Sequence, residues 1–376
     1  MLEQRGRLRR ILDGESAVLP VEDARQTVST TEAERALGVG EPIDDDISLV
    51  IATSGTTGVP KGAQHTPTSL AASARATARH LGGEGSWLLA LAPHHIAGLQ
   101  VLLRATAAGT DVEVLDLRDG FDPEALVAAA DRLSGTRRYT SLVPTQLVKV
   151  LESPAAIRSV AGFDAVLIGG AATPRLLQER ALDAGLPIVR TYGMSETAGG
   201  CVYDGVPLDG VSVRIANPTP DGVGRVLLGG PMVARGYRNR PDHEAFADLG
   251  WFRTDDLGRL DADGKLVIIG RADEAITTGG LTVVPQVVEA VLLDDPSVVD
   301  CAVVGLPDAR LGEQVVAAVI PAVDTAVDTA RLRGLVIERL DRYAAPRQII
   351  EVSELPRRGP GKVDRRELRR LLTIEH

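Results

Sequence analysis

Residues 48–62 read SLVIATSGTTGVPKG. The segment up to Thr53 is apolar and β-branched, as a buried strand is, and residues 54–62 are almost all hydroxyl, glycine, proline and one lysine. A loop of that composition directly after a strand presents N–H and O–H groups that can wrap phosphate oxygens, with Lys61 to offset their charge. It is not a Walker A loop: G-x-x-x-x-G-K-[ST] counted from Gly55 requires glycine at Pro60 and a hydroxyl at Gly62. The plain alternative is a Gly/Thr surface turn, for which residues 53–62 are too specialised in composition. A phosphate loop of another kind remains.

Downstream, short apolar runs alternate with helical patterns as far as residue 192. The runs at 87–92, 111–117, 139–143, 164–170 and 186–192, with 48–53, read as buried strands. Residues 68–80, 97–108, 123–133, 144–152 and 174–184 read as helices, several opened by proline or by a capping threonine. The alternation predicts an α/β fold whose large N-terminal domain holds a parallel sheet flanked by helices on both faces. Beyond residue 200, GVSVRIA, GRVLLGG and GKLVIIG predict a β-subdomain of hairpins and turns. From Arg271 onward a helix (285–293), strands (298–304, 313–320), a helix (329–343), a strand (347–352) and a last helix from Asp364 predict a small α+β C-terminal domain. The expected domains are residues 1–270 and a mobile unit, 271–376. The first 45 residues are weakly patterned and predict no element.

Composition narrows the function. The chain has 376 residues, a net charge of −10, 44% hydrophobic and 24% charged residues, which suits a globular two-domain protein. The acidic balance argues against nucleic-acid partners, which require clustered Lys and Arg. Two distant cysteines, Cys201 and Cys301, offer neither a disulfide framework nor a zinc site and suit a reducing cytoplasm. The longest uncharged run, 87–103, is broken by Pro93, His94, His95 and Gln100, so no integral membrane segment is expected. Only four of the 41 basic residues are lysines, and two of these, Lys61 and Lys362, stand in glycine-rich segments. A scarce residue in such places invites a chemical role.

Further segments carry chemistry in order: Gly169-Gly170-Ala171-Ala172, Tyr192-Gly193-Met194-Ser195-Glu196, Gly250-Trp251-Phe252-Arg253-Thr254-Asp255, Gly270-Arg271-Ala272-Asp273, and Leu355 to Lys362, LPRRGPGK. Together with the loop at 53–62, the ordered series resembles the signatures of the adenylate-forming enzymes. That family includes acyl-CoA synthetases, nonribosomal-peptide adenylation domains and luciferases. The resemblance implies ATP, Mg2+ and CoA as ligands. Thr53, Ser54, Gly55, Thr56, Thr57, Gly58 and Lys61 would then cradle the phosphates, and Gly169, Gly170 and Ala171 would let adenine lie against backbone. Tyr192 would stack on adenine beside Gly193, Ser195 would meet the α-phosphate, and Glu196 would hold the metal. Asp255 would take the ribose hydroxyls and Arg271 would add a ribose or phosphate contact. Asp273 would be the hinge, and Lys362 would swing in as the catalytic ammonium, with Lys61, Glu196 and His95 completing the catalytic set. Two departures stand out. Gly279-Gly280 is followed by Leu281-Thr282, where CoA-using relatives often carry Glu-Asn, and the loop's early position implies a reduced N-terminal subdomain.

The stretches 141–147 (SLVPTQL) and 199–205 (GGCVYDG) resemble the compact actinobacterial o-succinylbenzoate-CoA ligases of menaquinone synthesis. That resemblance implies a small carboxylic acid as substrate, met by His95, Thr145, Gly170, Thr191, Met194 and Gly199. His94 competes with His95 for the gate, and Arg190 is a candidate for the carboxylate that is not activated. Two alternatives stay open: another acyl- or aryl-CoA ligase, and a non-catalytic nucleotide-binding module. A homodimer is the base-rate expectation for such an enzyme.

Overall fold

The computed structural model describes residues 2–22, 27–53, 60–323, 325–358 and 362–374. Its centre is a seven-stranded sheet. Val112–Val114, Ser86–Leu89, Arg138–Leu142, Ala165–Ile168 and Ile188–Met194 run parallel in that spatial order, and Gly199–Tyr203 and Val206–Pro207 extend it antiparallel. The strands are apolar on both faces because both faces are covered. Leu88, Val166 and Ile168 enter one core layer, and their neighbours Trp87, Ala165 and Leu167 enter the other. The helices start where their sequences specify. Thr66 accepts from the Ser69 N–H ahead of helix Pro67–His80, and Asp122 caps Pro123–Arg132.

Residues 48–53 depart from expectation. Leu49–Thr53 is not a member of the parallel sheet but pairs antiparallel with Lys61–His65. Parallel pairing needs a crossover of a dozen or more residues, and only 54–60 lie between these strands. The hairpin packs through Leu49 and Ile51 against Val226 and Leu228 of a four-stranded antiparallel sheet. That sheet is Ser212–Ala216, Gly224–Gly229, Trp251–Leu260 and Leu266–Arg271, and the sequence pattern does not predict its third strand. Nor does it predict helices Leu2–Asp13, Thr27–Ala36 and Pro154–Val160.

The C-terminal unit holds a five-stranded mixed sheet that buries Val288, Val303, Val315, Val319 and Val336 beneath helices Pro285–Leu292 and Thr329–Arg339. The latter helix ends at Arg339, short of the expected 343, and the buried pair Ala344 and Ala345 follows it. The four-stranded sheet's last strand stops at Arg271 and the small unit's first strand starts at Ile276. No helix among the described residues is long and apolar enough to cross a membrane.

Gly98, in the first turn of helix Ile96–Ala108, lets that helix seat on the backbone that leads to His95. A Cβ there would lie 2.3 Å from the Ala92 carbonyl oxygen. Gly98→Ala is therefore expected to destabilise the fold by about 1–3 kcal/mol, as overpacking does. A lower denaturant midpoint at unchanged slope checks it.

Candidate active site

The segment 235–239 runs beside strand Lys61–His65, which follows the loop: Arg235 N donates to Gln64 O (2.9 Å), Gln64 N to Gly236 O (3.0 Å) and Arg238 N to Gly62 O (2.7 Å). Asn239 spans the loop's end, its Nδ2 donating to Pro60 O at 2.9 Å and its Oδ1 accepting from Gly62 N at 3.4 Å. Before the loop, the Thr53 hydroxyl is buried with no partner among the described residues, and a phosphate oxygen would satisfy it. The expected contacts of Ser54, Gly55, Thr56, Thr57 and Gly58 lie outside the described residues.

Tyr237 joins two of the expected residues. Its hydroxyl donates to Glu196 Oε1 at 2.6 Å, and the Lys61 ammonium lies 4.5 Å from its ring centroid. Burial, and then the Glu196 charge, raise the Tyr237 pKa, so the phenol stays a donor. Glu196 is 7% exposed, and its Oε2 has no hydrogen-bond partner among the described residues. One such oxygen fits a hard cation whose other ligands would come from phosphate and water. No group of three or more His, Cys, Asp or Glu among the described residues could hold a metal without them. Behind Ser195 stands His65, whose Nε2 donates to the Ser195 carbonyl at 2.6 Å. Complete burial pulls the His65 pKa down to about 4 against that hydrogen bond, so the ring is neutral.

At the carboxyl end of the central sheet, the Tyr192 hydroxyl donates to Asp256 Oδ2 at 2.6 Å. The ring is thus fixed by a carboxylate of the neighbouring sheet. Burial raises the Asp256 pKa, opposed by Tyr192 and by the charges of Arg271 and Lys362. The expected ribose residue, Asp255, faces the other way. Strand Trp251–Leu260 alternates, and Asp255 is on its exposed side, paired with Arg225 at 2.9 Å. Arg271 approaches Asp255 and Asp256, each at 3.6 Å, and grips Asp273 with Nε and a terminal nitrogen at 2.9 and 2.8 Å.

His95 stands at the N-cap of helix Ile96–Ala108, its ring centroid 4.2 Å from that of His94. Its pKa is lowered to about 4, first by burial, then by the charges of His94 and Lys362. Lys362 lies on a two-residue strand paired with Arg357–Arg358, and its charge acts to lower the pKa of both His95 and Asp256. Of the acid-side residues, Thr191 Oγ1 donates to Ile168 O at 3.3 Å and blocks any side chain at Gly169, whose Cβ would lie 2.3 Å from it. Gly170 has φ +82°, and Met194 packs against the core beside Tyr192. Gly199 leaves the Gln100 side chain 3.4 Å from where a Cβ would stand. Thr145 is exposed, and its buried neighbour Gln146 is spent on the Ala90 carbonyl. Arg190 is exposed and ion-paired with Asp204 at 2.9 Å, so it is committed to a surface pair.

Residues 4–238 match the model of the AMP-binding enzyme family and residues 287–362 that of the AMP-binding enzyme C-terminal domain. A probable 2-succinylbenzoate–CoA ligase of Mycobacterium tuberculosis is 54% identical over 336 residues, covering 89% of this chain and 86% of that protein. The 2-succinylbenzoate–CoA ligase of Geobacillus kaustophilus is 33% identical over 383 residues, 96% of this chain and 76% of its own. Among solved structures, o-succinylbenzoate CoA synthetase from Bacillus subtilis, in complex with its acyl-adenylate intermediate, superposes with a TM-score of 0.74 at 30% identity. The match covers 85% of this chain and 68% of that one.

His65 yields a pH signature. Its folded pKa, about 4, is below the unfolded 6.5, so the unfolded chain binds the extra proton. The stability this confers is whole above pH 6.5 and is lost as pH falls through about 4. The amount at stake is about 3 kcal/mol. His65→Gln, which keeps a donor for Ser195 but cannot titrate, is expected to flatten the fall of melting temperature over this window, read by thermal unfolding at stepped pH.

Proposed function

This chain belongs to the AMP-binding enzyme family, and from that premise we propose that it is an ATP-dependent 2-succinylbenzoate–CoA ligase of menaquinone synthesis, working in the cytoplasm. The acid–thiol ligase activity proceeds through an acyl-adenylate. The succinyl carboxylate attacks the α-phosphorus of ATP, the bond to the bridging oxygen breaks, and pyrophosphate leaves. The CoA sulfur then attacks the acyl carbon, the bond to AMP oxygen breaks, and the thiol proton passes to water.

Each side chain has a part in these steps. Lys362, whose charge acts to lower the pKa of both His95 and Asp256, would offset charge as the carboxylate meets phosphorus. The observation that carries the reading is Tyr237, hydrogen-bonded to Glu196 at 2.6 Å with the Lys61 ammonium 4.5 Å from its ring centroid. Lys61 and the Ser195 hydroxyl serve the phosphates, and Tyr237 holds Glu196 in one orientation. A Mg2+ ion on Glu196 would supply charge neutralisation for the departing pyrophosphate. Neutral His95 lines the acid pocket without adding charge to it. Tyr192 packs on adenine, held by Asp256, and Asp256, not Asp255, takes the ribose. For CoA, withdrawal of the small domain about Asp273 opens the thiol's path.

A panel of acids in the pyrophosphate-exchange assay tests the substrate. Exchange with 2-succinylbenzoate but not with fatty or simple benzoic acids supports the reading, and the reverse preference makes the chain another acyl- or aryl-CoA ligase. Lys362→Ala is expected to lower exchange at least about 100-fold while thioester formation from supplied acyl-AMP stays near wild type. Asp256→Asn is expected to raise the KM for ATP about 10-fold and Asp255→Asn to leave it within about twofold, read in the same exchange assay.

A further inference from the structure

The residues just after Lys362 are tied to the turn where the two units meet. Arg365 opens the last helix, Arg365–Ile374, capped by Asp364, whose own N–H donates to Pro356 O at 2.7 Å and closes the Lys362 hairpin. The Arg365 side chain is 13% exposed. Its Nε donates to Glu274 Oε2 at 2.7 Å, and its terminal nitrogens reach Glu289 at 2.7 and 3.0 Å. Glu274 belongs to the turn Ala272–Glu274 and also accepts from Gln286, which takes the Arg271 N–H at 3.3 Å. Glu289 is anchored inside the small unit by the Val303 N–H at 2.7 Å. One guanidinium thus forks between a carboxylate on the turn and a carboxylate in the small unit's core. A planar, doubly bonded fork fixes orientation as well as distance.

We propose that Glu274 and Arg365 are positioning residues that lock the Lys362 hairpin to the hinge turn, so that rotation at residues 272–275 carries Lys362 into and out of the nucleotide cleft as one rigid body. The inference rests on the two-step reading above. Without the lock, rotation of the small unit would still occur, but the hairpin would arrive with a scatter of positions. An error of about 1 Å in such a group is worth up to about 100-fold in rate.

The test uses the full chain and its two half-reactions, pyrophosphate exchange and thioester formation from supplied acyl-AMP. Glu274→Gln and Arg365→Lys are each expected to lower kcat for exchange about 10- to 100-fold, with KM for ATP and acid within about twofold and thioester formation near wild type. Glu274→Asp, which keeps the charge but shortens the reach, falls between wild type and Glu274→Gln. The double variant Glu274→Gln/Arg365→Lys is no worse than the worse single, because both break one link. Glu289→Gln, which removes the other carboxylate of the fork, lowers the melting temperature and shifts the ratio of half-reactions in the same direction as Glu274→Gln. Unchanged exchange, equal loss of both half-reactions, or multiplying losses in the double variant would overturn the proposal. Lys362→Ala separates the two layers. If it keeps exchange, the two-step reading fails; if it loses exchange while Glu274→Gln does not, only the lock fails.

Discussion

The guanidinium of Arg271 faces four carboxylates, and the junction of the two units depends on how that charge is shared. Asp255 and Asp256 come from strand Trp251–Leu260, Asp273 and Glu274 from the turn just after Arg271 itself. Burial alone would lower the Arg271 pKa, but Asp273, then Asp256 and Glu274, hold it above its ordinary value. One cation cannot satisfy four anions. The surplus is divided: Asp255 turns to Arg225, Glu274 to Arg365, and Asp256 takes the Tyr192 hydroxyl and the field of Lys362. In the proposed cycle, an acidic junction of this kind would attract the Lys362 ammonium, and the ATP phosphates would compete for it.

The outline of the parallel sheet was legible in the sequence because it is local. Leu88, Val166 and Ile168 are apolar where strands are buried on two faces, and SGTTGVPKG is polar and glycine-rich where phosphate is expected. What stayed hidden needs partners distant in the chain. Trp251–Leu260 carries charge at Arg253, Asp255, Asp256 and Arg259, which reads as a motif until the neighbouring strands fix its phase. That phase, and nothing in the residue types, separates Asp256 from Asp255. Helix Leu2–Asp13 buries Ile11 beside Leu8 and Leu12, but its arginines mask the period. Tyr237 and Asn239 lie in GYRNRP, which reads as a loop. A tyrosine and an amide just after glycine, flanking no apolar run, were the available signal.

The site also holds two histidines neutral. His65 and His95 are both held near pKa 4, chiefly by burial, which keeps the walls beside Ser195 and the acid pocket neutral at physiological pH. Low-dielectric walls strengthen the charges that remain, among them the proposed functional ones, Lys61, Glu196 and Lys362. The acid's identity is written less clearly. Arg190, the cation nearest in sequence to the sheet's carboxyl edge, is bound to Asp204, so recognition of a second carboxylate falls to backbone donors or to residues from farther along the chain.

The two units do not share an apolar core. Arg175 of helix Arg175–Asp183 reaches Asp294 at 3.1 Å, and Val284 and Gln286 pack against Gly270, whereas the apolar clusters of the small unit contain only its own residues. Exposed pairs of this sort are individually worth about 0–1 kcal/mol and re-form readily with other partners. An interface so made can be broken and rebuilt in each catalytic cycle at little cost. The buried fork at Arg365, by contrast, leaves Glu289 an uncompensated charge if it opens, so it persists while the outer pairs exchange. In the proposed cycle, rotation would be confined to the short turn at 272–275, and everything C-terminal to it would turn together.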